Sequence, residues 1–178
     1  MEKKYTISIF SENHIGLLNS ITIIFTRRRL NIESINASES EVNGVYRYTV
    51  VISSTREIVE NVVKQIEKLV EVLGAFMYEE EEIIYREIAL YKVPTESFHN
   101  GNIVESMLRS HNARIIRIER DYTIIEKTGH KNETQDLLDE LRPYGILEFA
   151  RSGRVAIVKS MENLTQYLKK LDNQFIVN

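Results

Sequence analysis

The sequence predicts an α+β protein built of two ferredoxin-like βαββαβ sandwiches in tandem, and three observations predict it. Apolar residues recur with period 2 or period 3.6 in the order strand, helix, strand, strand, helix, strand. Two right-handed crossovers on one antiparallel sheet then put both helices on the same face. The same order repeats in the second half with different residues, which sets domains of 1–82 and 83–178. The 178 residues are 43% hydrophobic and 28% charged, so two small cores can be filled.

In the first half, Tyr5 to Phe10 alternates, with Tyr5, Ile7 and Ile9 on one face and Thr6, Ser8 and Phe10 on the other. Leu17, Leu18, Ile21, Ile24 and Phe25 then fall at helical spacing, and Arg27-Arg28-Arg29 complement the carbonyl end of that helix. Between strand and helix lies Glu12-Asn13-His14-Ile15-Gly16, a turn that offers free amides to a carboxylate or phosphate. Asn31 to Ser40 reads as a second strand. Its apolar residues Ile32, Ile35 and Ala37 do not keep one parity, which predicts a bulge or a late start. Asn43-Gly44 is a hairpin turn, and Val45 to Ser53 a third strand with Tyr46, Tyr48, Val50 and Ile52 on one face. Ser54 to Glu57 has capping-box spacing ahead of a helix striped by Ile58, Val62, Ile66, Leu69 and Val70. A fourth strand is expected from Val72 to Ile84, carrying Glu79 to Glu82 as a charged edge.

In the second half, Arg86 to Val93 is a strand closed by Pro94, and Ile103, Val104, Met107 and Leu108 mark a helix. Ala113 to Arg120 and Tyr122 to Thr128 are short strands around a tight turn. Asn132 to Gln135 resembles a capping box before Leu137, Leu138 and Leu141, and Pro143 stops that helix. Gly145 to Val158 is a last strand, interrupted at Ser152-Gly153. Leu164, Tyr167, Leu168 and Leu171 make a short amphipathic C-terminal helix outside the βαββαβ count.

Composition narrows the function. The net charge of −3 gives no reason to expect nucleic acid or an anionic membrane. Without cysteine there are no disulfides, thiolate metal sites or cysteine nucleophiles. No signal-peptide core follows Met1, and no apolar run nears the ~20 residues that span a bilayer, so a cytoplasmic protein is expected. His14, His99, His111 and His130 are scattered, with no metal-ligand spacing. No Ser/His/Asp spacing, glycine-rich phosphate loop or carboxylate pair announces catalysis. An RNA-recognition module shares the element order and stacks bases on the open sheet face. Tyr46 and Tyr48, however, share parity with Val50 and Ile52 and so belong under the helices.

The segments Glu12-Asn13-x-x-Gly16-x-Leu18 and Phe25-Thr-Arg-Arg-Arg-Leu-Asn31-Ile32-Glu33-Ser34 resemble the ACT domain of acetolactate (acetohydroxyacid) synthase regulatory subunits. Arg86-Glu87-Ile88-x-Leu90-x-Lys92 and Ala150-Arg151-Ser152-Gly153 extend the likeness through the second half. The resemblance implies a non-catalytic subunit with its ACT domain at 1–82, which forms a homodimer and activates a separate catalytic subunit. It also implies feedback inhibition by a branched-chain amino acid, typically valine, bound at the dimer interface. Thiamine diphosphate, FAD and magnesium are expected on the catalytic partner, and no cofactor, metal or catalytic residue on this chain.

The effector positions fall on Asn13, Gly16 and Asn31, with His14, Ile15 and Leu17 giving backbone or wall and Ile32 lining the side-chain pocket. Arg29 departs from the pattern, because the family usually has glycine there to end the helix in a left-handed cap. Arg29 must accept positive φ or end the helix differently, which bears on where Asn31 lies. Two other classes stay open: a stand-alone amino-acid-sensing module acting on another enzyme or a transcription factor, and a small enzyme on the same scaffold. The surface meeting the catalytic subunit is expected on the exposed sheet face of the second domain and the Arg151-Ser152-Gly153 turn.

Overall fold

Alternation along the first strand decides which side the helices cover. In the computed structural model, which describes residues 2–98, 103–160, 166, 167 and 169, the first half forms β1 (Lys3–Glu12), α1 (Leu17–Arg27), β2 (Ile32–Glu39), β3 (Val45–Ser54), α2 (Arg56–Ile66) and β4 (Val72–Tyr78). They make an antiparallel sheet of order β2-β3-β1-β4. The register sets Tyr5 against Ile52, Ile7 against Val50 and Ile9 against Tyr48. These six, with Leu17, Ile21, Ile24 and Phe25 of α1 and Val59, Val62 and Ile66 of α2, form one buried core. Each large apolar side chain buried there stabilises the fold by roughly 1.5–3 kcal/mol. Tyr46 and Tyr48 lie on the core side, as parity required.

β2 carries the expected bulge, since the register slips between Ile32 and Ser34. Other expectations are corrected. Leu18 is 43% exposed, and so are Ile58 at 39% and Val70 at 94%. The buried stripe of α2 is Val59, Val62 and Ile66, one residue on from Ile58. The helix ends at Ile66 and tightens through Leu69 N–H to Ile66 O (3.0 Å), which leaves Val70 beyond it. The Ser54–Glu57 capping box does not form: Thr55 is the N-cap without a side-chain bond, and Ser54 is the last residue of β3. Glu79 to Glu82 is not an edge strand. Glu80–Glu82 is a single 3-10 turn in which Glu82 accepts from the Glu79 N–H at 2.8 Å. Glu79 itself pairs with Lys3 at 2.6 Å and Arg56 at 3.4 Å.

The second half repeats the plan as β5 (Ile83–Pro94), α3 (Ile103–Ser110), β6 (Arg114–Ile118), β7 (Tyr122–Gly129), α4 (Lys131–Leu141), β8 (Glu148–Arg151) and β9 (Val155–Val158). Its sheet runs β6-β7-β5-β8, with β9 also on β5. Ala89, Tyr91, Val93 and Ile125 meet Val104, Leu108, Leu137, Leu138 and Leu141 in its core. The last strand breaks after Arg151, near the Ser152-Gly153 pair that suggested it. The N-cap of α4 is His130 rather than Asn132, and Glu133 accepts its N–H at 2.6 Å. That bond holds the Glu133 carboxyl below its ordinary range. The bulge recurs, here between Ile115 and Arg117.

The described residues divide into two compact units, one within Tyr85–Val155, and residues 156–160 group with the first half rather than with the rest of 83–178. Lys159 contributes to that return, donating from N–H to Glu82 O (2.9 Å) and from Nζ to Glu81 O (2.7 Å). Tyr167 lies edge-on to Phe76 (centroids 4.9 Å apart) on the sheet face away from the helices. Leu164, Leu168, Leu171 and His99 lie outside the described residues. Among the described residues no helix is long and apolar enough to cross a membrane, and none of their His, Asp and Glu cluster as a metal site.

Candidate functional site

The turn between β1 and α1 is built around one backbone conformation. Gly16 is the N-cap of α1 at φ 90°, ψ −10°, a left-handed geometry that costs any L-residue with a Cβ. A Cβ at this position would meet nothing within 4 Å, so backbone angle rather than crowding calls for glycine. Asn13, His14, Ile15 and Gly16 are all exposed, Ile15 at 98%. Leu17 is buried in the core and anchors the turn. Its N–H bonds to His14 O at 3.3 Å and is therefore engaged within the turn. No side chain caps α1 and no acid sits in its first turn, so the amide end stays electropositive. Glu71 braces the turn from outside: its carbonyl takes the Glu12 N–H at 3.0 Å, and its Oε1 lies 3.9 Å from His14 Nδ1. No sequence pattern linked Glu71 to this turn, because the contact joins two loops 57 or more residues apart.

The far end of α1 sets the second group. Arg29 adopts φ 55°. Leu30 N–H bonds to Phe25 O (3.0 Å) and Arg29 N–H to Thr26 O (2.9 Å), the paired bonds of a left-handed helix cap. Leu30 packs on the core cluster that holds Phe25, which completes the motif. Arg29 thus takes the glycine conformation, and Asn31 follows it as it would follow glycine. Asn31 is exposed, and Ile32 is half-buried as the first residue of β2, opposite Ile52.

The two groups lie apart in one chain. α1 has 11 residues, and at 1.5 Å per residue it holds Asn13 and Gly16 about 16 Å from Asn31. One small amino acid cannot bridge that length within a protomer. The expected effector residues thus stand in two groups at opposite ends of one helix.

The second-half motifs meet across β5 and β8, where Leu90 pairs with Ala150. Ser152 N–H donates to Ile88 O (2.8 Å) and its Oγ accepts from Ile88 N–H (2.9 Å). Arg151 Nε stands 4.0 Å from the buried Glu87 carboxylate, and its Nη2 donates to Gln135 at 3.1 Å. These residues hold the strand and its turn in place, which accounts for their type without a ligand.

Comparison with known proteins follows both halves. Residues 7–74 match the family described as AHAS small subunit-like ACT domain, and residues 86–160 the family described as small subunit of acetolactate synthase. The chain is 36% identical over 156 residues to a probable acetolactate synthase small subunit of Archaeoglobus fulgidus, across 88% of this chain and 97% of that one. It is 35% identical over 163 residues to the acetolactate synthase small subunit of Bacillus subtilis, across 89% and 92%. The crystal structure of the small subunit from Thermotoga maritima superposes with a TM-score of 0.81 at 28% identity, covering 90% of this chain and 99% of that chain.

Proposed function

Because the chain belongs to the acetolactate synthase small-subunit family, we propose that it is the regulatory subunit that activates a separate catalytic chain and carries valine feedback inhibition to it. Thiamine diphosphate, FAD and magnesium then belong to the catalytic partner. The observation that carries the effector half is the uncapped, acid-free start of α1 behind a left-handed Gly16. Amides of Ile15 and Gly16 take the ligand carboxylate, since the Leu17 N–H is already spent on His14 O. Asn31 accepts from the ammonium, Asn13 adds a second neutral polar contact, and Ile15 and Ile32 wall the aliphatic side chain.

The length of α1, which keeps the two groups apart in one chain, supports a site completed by a partner chain. In a homodimer the Asn13–Gly16 turn of one protomer faces Asn31 of the other. This also gives the highly exposed Ile15 a surface to bury against. Valine binding then stabilises one arrangement of the two ACT domains, and the difference in affinity between arrangements is what reaches the catalytic chain.

Calorimetry of the full-length protein with valine, leucine and isoleucine tests the sensing half. Heat of binding for valine is expected; silence with all three at about 10 mM, far above the Kd of any useful effector, rejects it. Addition to the cognate catalytic chain tests activation separately. A higher acetolactate-forming rate is expected, and an unchanged rate without co-elution rejects the subunit assignment.

A further inference from the structure

We propose that the groove between α1 and α2 is a second ligand site, which takes an organic phosphate. A cavity of about 590 Å³ opens there, lined by Arg28, Ile58, Asn61, Lys64, Gln65 and Lys68. Its volume is that of a small-molecule site. The spacing of Ile58, Asn61, Gln65 and Lys68 places them on one face of α2 and the turn after it, with Lys64 beside them.

Every ionisable group of this lining is a cation. Among the described residues Arg27, Arg28, Arg29, Lys64 and Lys68 form no ion pair, whereas Lys3, Lys4, Arg56, Arg114 and Arg142 do. Glu60, which could reach Lys64 one turn on, is held by Arg56 at 2.9 Å. Glu57 remains as the one acid on the same face of α2, near its start. The chain as a whole has a net charge of −3, so this concentration of unpaired positive charge runs against its average.

Compensation of helix carbonyl ends explains part of it, because Arg27 sits in the last turn of α1 and Lys64 in that of α2. It does not explain why the cations line a concavity with two carboxamides and an aliphatic wall. The Arg28 guanidinium is oriented across the groove by a hydrogen bond to Gln65 Oε1, and its other N–H donors remain for a ligand. Arg28, bonded to Gln65, and Lys64 mark the end of the lining at the last turn of α2, and Ile58 and Asn61 the end nearer its start. About 10 Å separates Ile58 from Gln65 along α2. The anionic end of a phosphate ester fits the first and its organic end the second. A free amino acid fits poorly, because its ammonium would face three cations.

Occupancy at Arg28 would act next to Arg29, whose turn places Asn31. Binding itself does not depend on the valine reading, and the two are measured apart. Titration of the full-length protein with inorganic phosphate, glucose 6-phosphate and ADP, at low and physiological salt, reads the groove. At least one organic phosphate is expected to bind about tenfold more tightly than inorganic phosphate, and the Lys64→Ala/Lys68→Ala variant to lose about tenfold or more of that affinity. The ligand-free melting temperature of this variant, altered only at exposed positions, is expected to fall by no more than a few degrees, the share of Lys64 in compensating the end of α2. Equal affinity in the variant overturns the proposal. So does binding that follows ligand charge alone and vanishes at physiological salt, or no heat with any probe. A valine titration on the same sample reports on the effector site independently.

Discussion

Arg29 and Asn112 stand at the same point of the two units, each in the left-handed region (φ 55° and 50°) directly after the first helix. Both close that helix with the same pair of bonds. Leu30 N–H meets Phe25 O and Ala113 N–H meets Leu108 O, at 3.0 and 2.8 Å; Arg29 N–H meets Thr26 O and Asn112 N–H meets Arg109 O, at 2.9 and 3.1 Å. The strand that follows is bulged in each case. Asparagine adopts this conformation at lower cost than arginine, so the first unit holds the more strained residue, beside Asn31.

Arg29→Gly is expected to raise stability by about 1 kcal/mol, the left-handed penalty less the entropy that glycine adds to the unfolded chain. Urea unfolding measures it. A loss of stability would mean that the Arg29 side chain contributes more than its backbone costs.

Gly16→Ala is expected to destabilise by about 1 kcal/mol through φ alone, because the new Cβ meets open space. Gly16→Asp should also reduce valine affinity by more than about tenfold, since it sets a carboxylate where the ligand carboxylate binds. Unchanged affinity for Gly16→Asp would remove the turn from the site.

A Cβ on Gly74 would stand 2.8 Å from the Tyr167 ring. Gly74→Ala should therefore displace that ring from Phe76 and destabilise the first unit. In a Tyr167→Ala background the same change should cost much less, with a coupling of about 1 kcal/mol. Additive effects in a double-mutant cycle would place Tyr167 elsewhere in solution.

The buried Tyr91 hydroxyl donates to Thr134 O at 2.6 Å, and burial pushes its pKa up to about 12. A phenol whose pKa is raised on folding keeps its proton more readily in the native state. Its contribution is thus fully present below about pH 10 and is lost as pH rises from there through about 12, by roughly 2–3 kcal/mol. Tyr91→Phe should cost about 1 kcal/mol at neutral pH and flatten the alkaline fall. An alkaline profile identical to wild type would contradict the assignment.

Local rules carried the element order because each reads neighbouring residues. The broken parity of Ile32, Ile35 and Ala37 pointed to a bulge or a late start, and β2 has the bulge; the lack of glycine at position 29 left positive φ or a different helix end, and Arg29 takes positive φ. Rules that depend on tertiary choice failed. Ile58 and Val59 are adjacent and both apolar, and packing selects Val59 although Ile58 is the larger. Four glutamates in a row state a charge but no backbone angle, so the 3-10 turn at Glu80–Glu82 was not visible. Tyr167 over Gly74 and Glu71 beside His14 join distant segments, and no local pattern reports them. The resemblance supplied Asn13, Gly16 and Asn31, and the length of α1 sets the first two apart from the third within one chain.

A mixed dimer tests the central claim, a site shared between two chains, most directly. Gly16→Asp and Asn31→Ala chains, each silent towards valine alone, are combined under two affinity tags and the heterodimer is titrated with valine. A site shared between chains leaves one intact turn facing one intact Asn31, so half of the wild-type binding capacity should return at close to wild-type affinity. A site contained within each protomer leaves both copies defective, and a heterodimer that binds no valine would contradict the account.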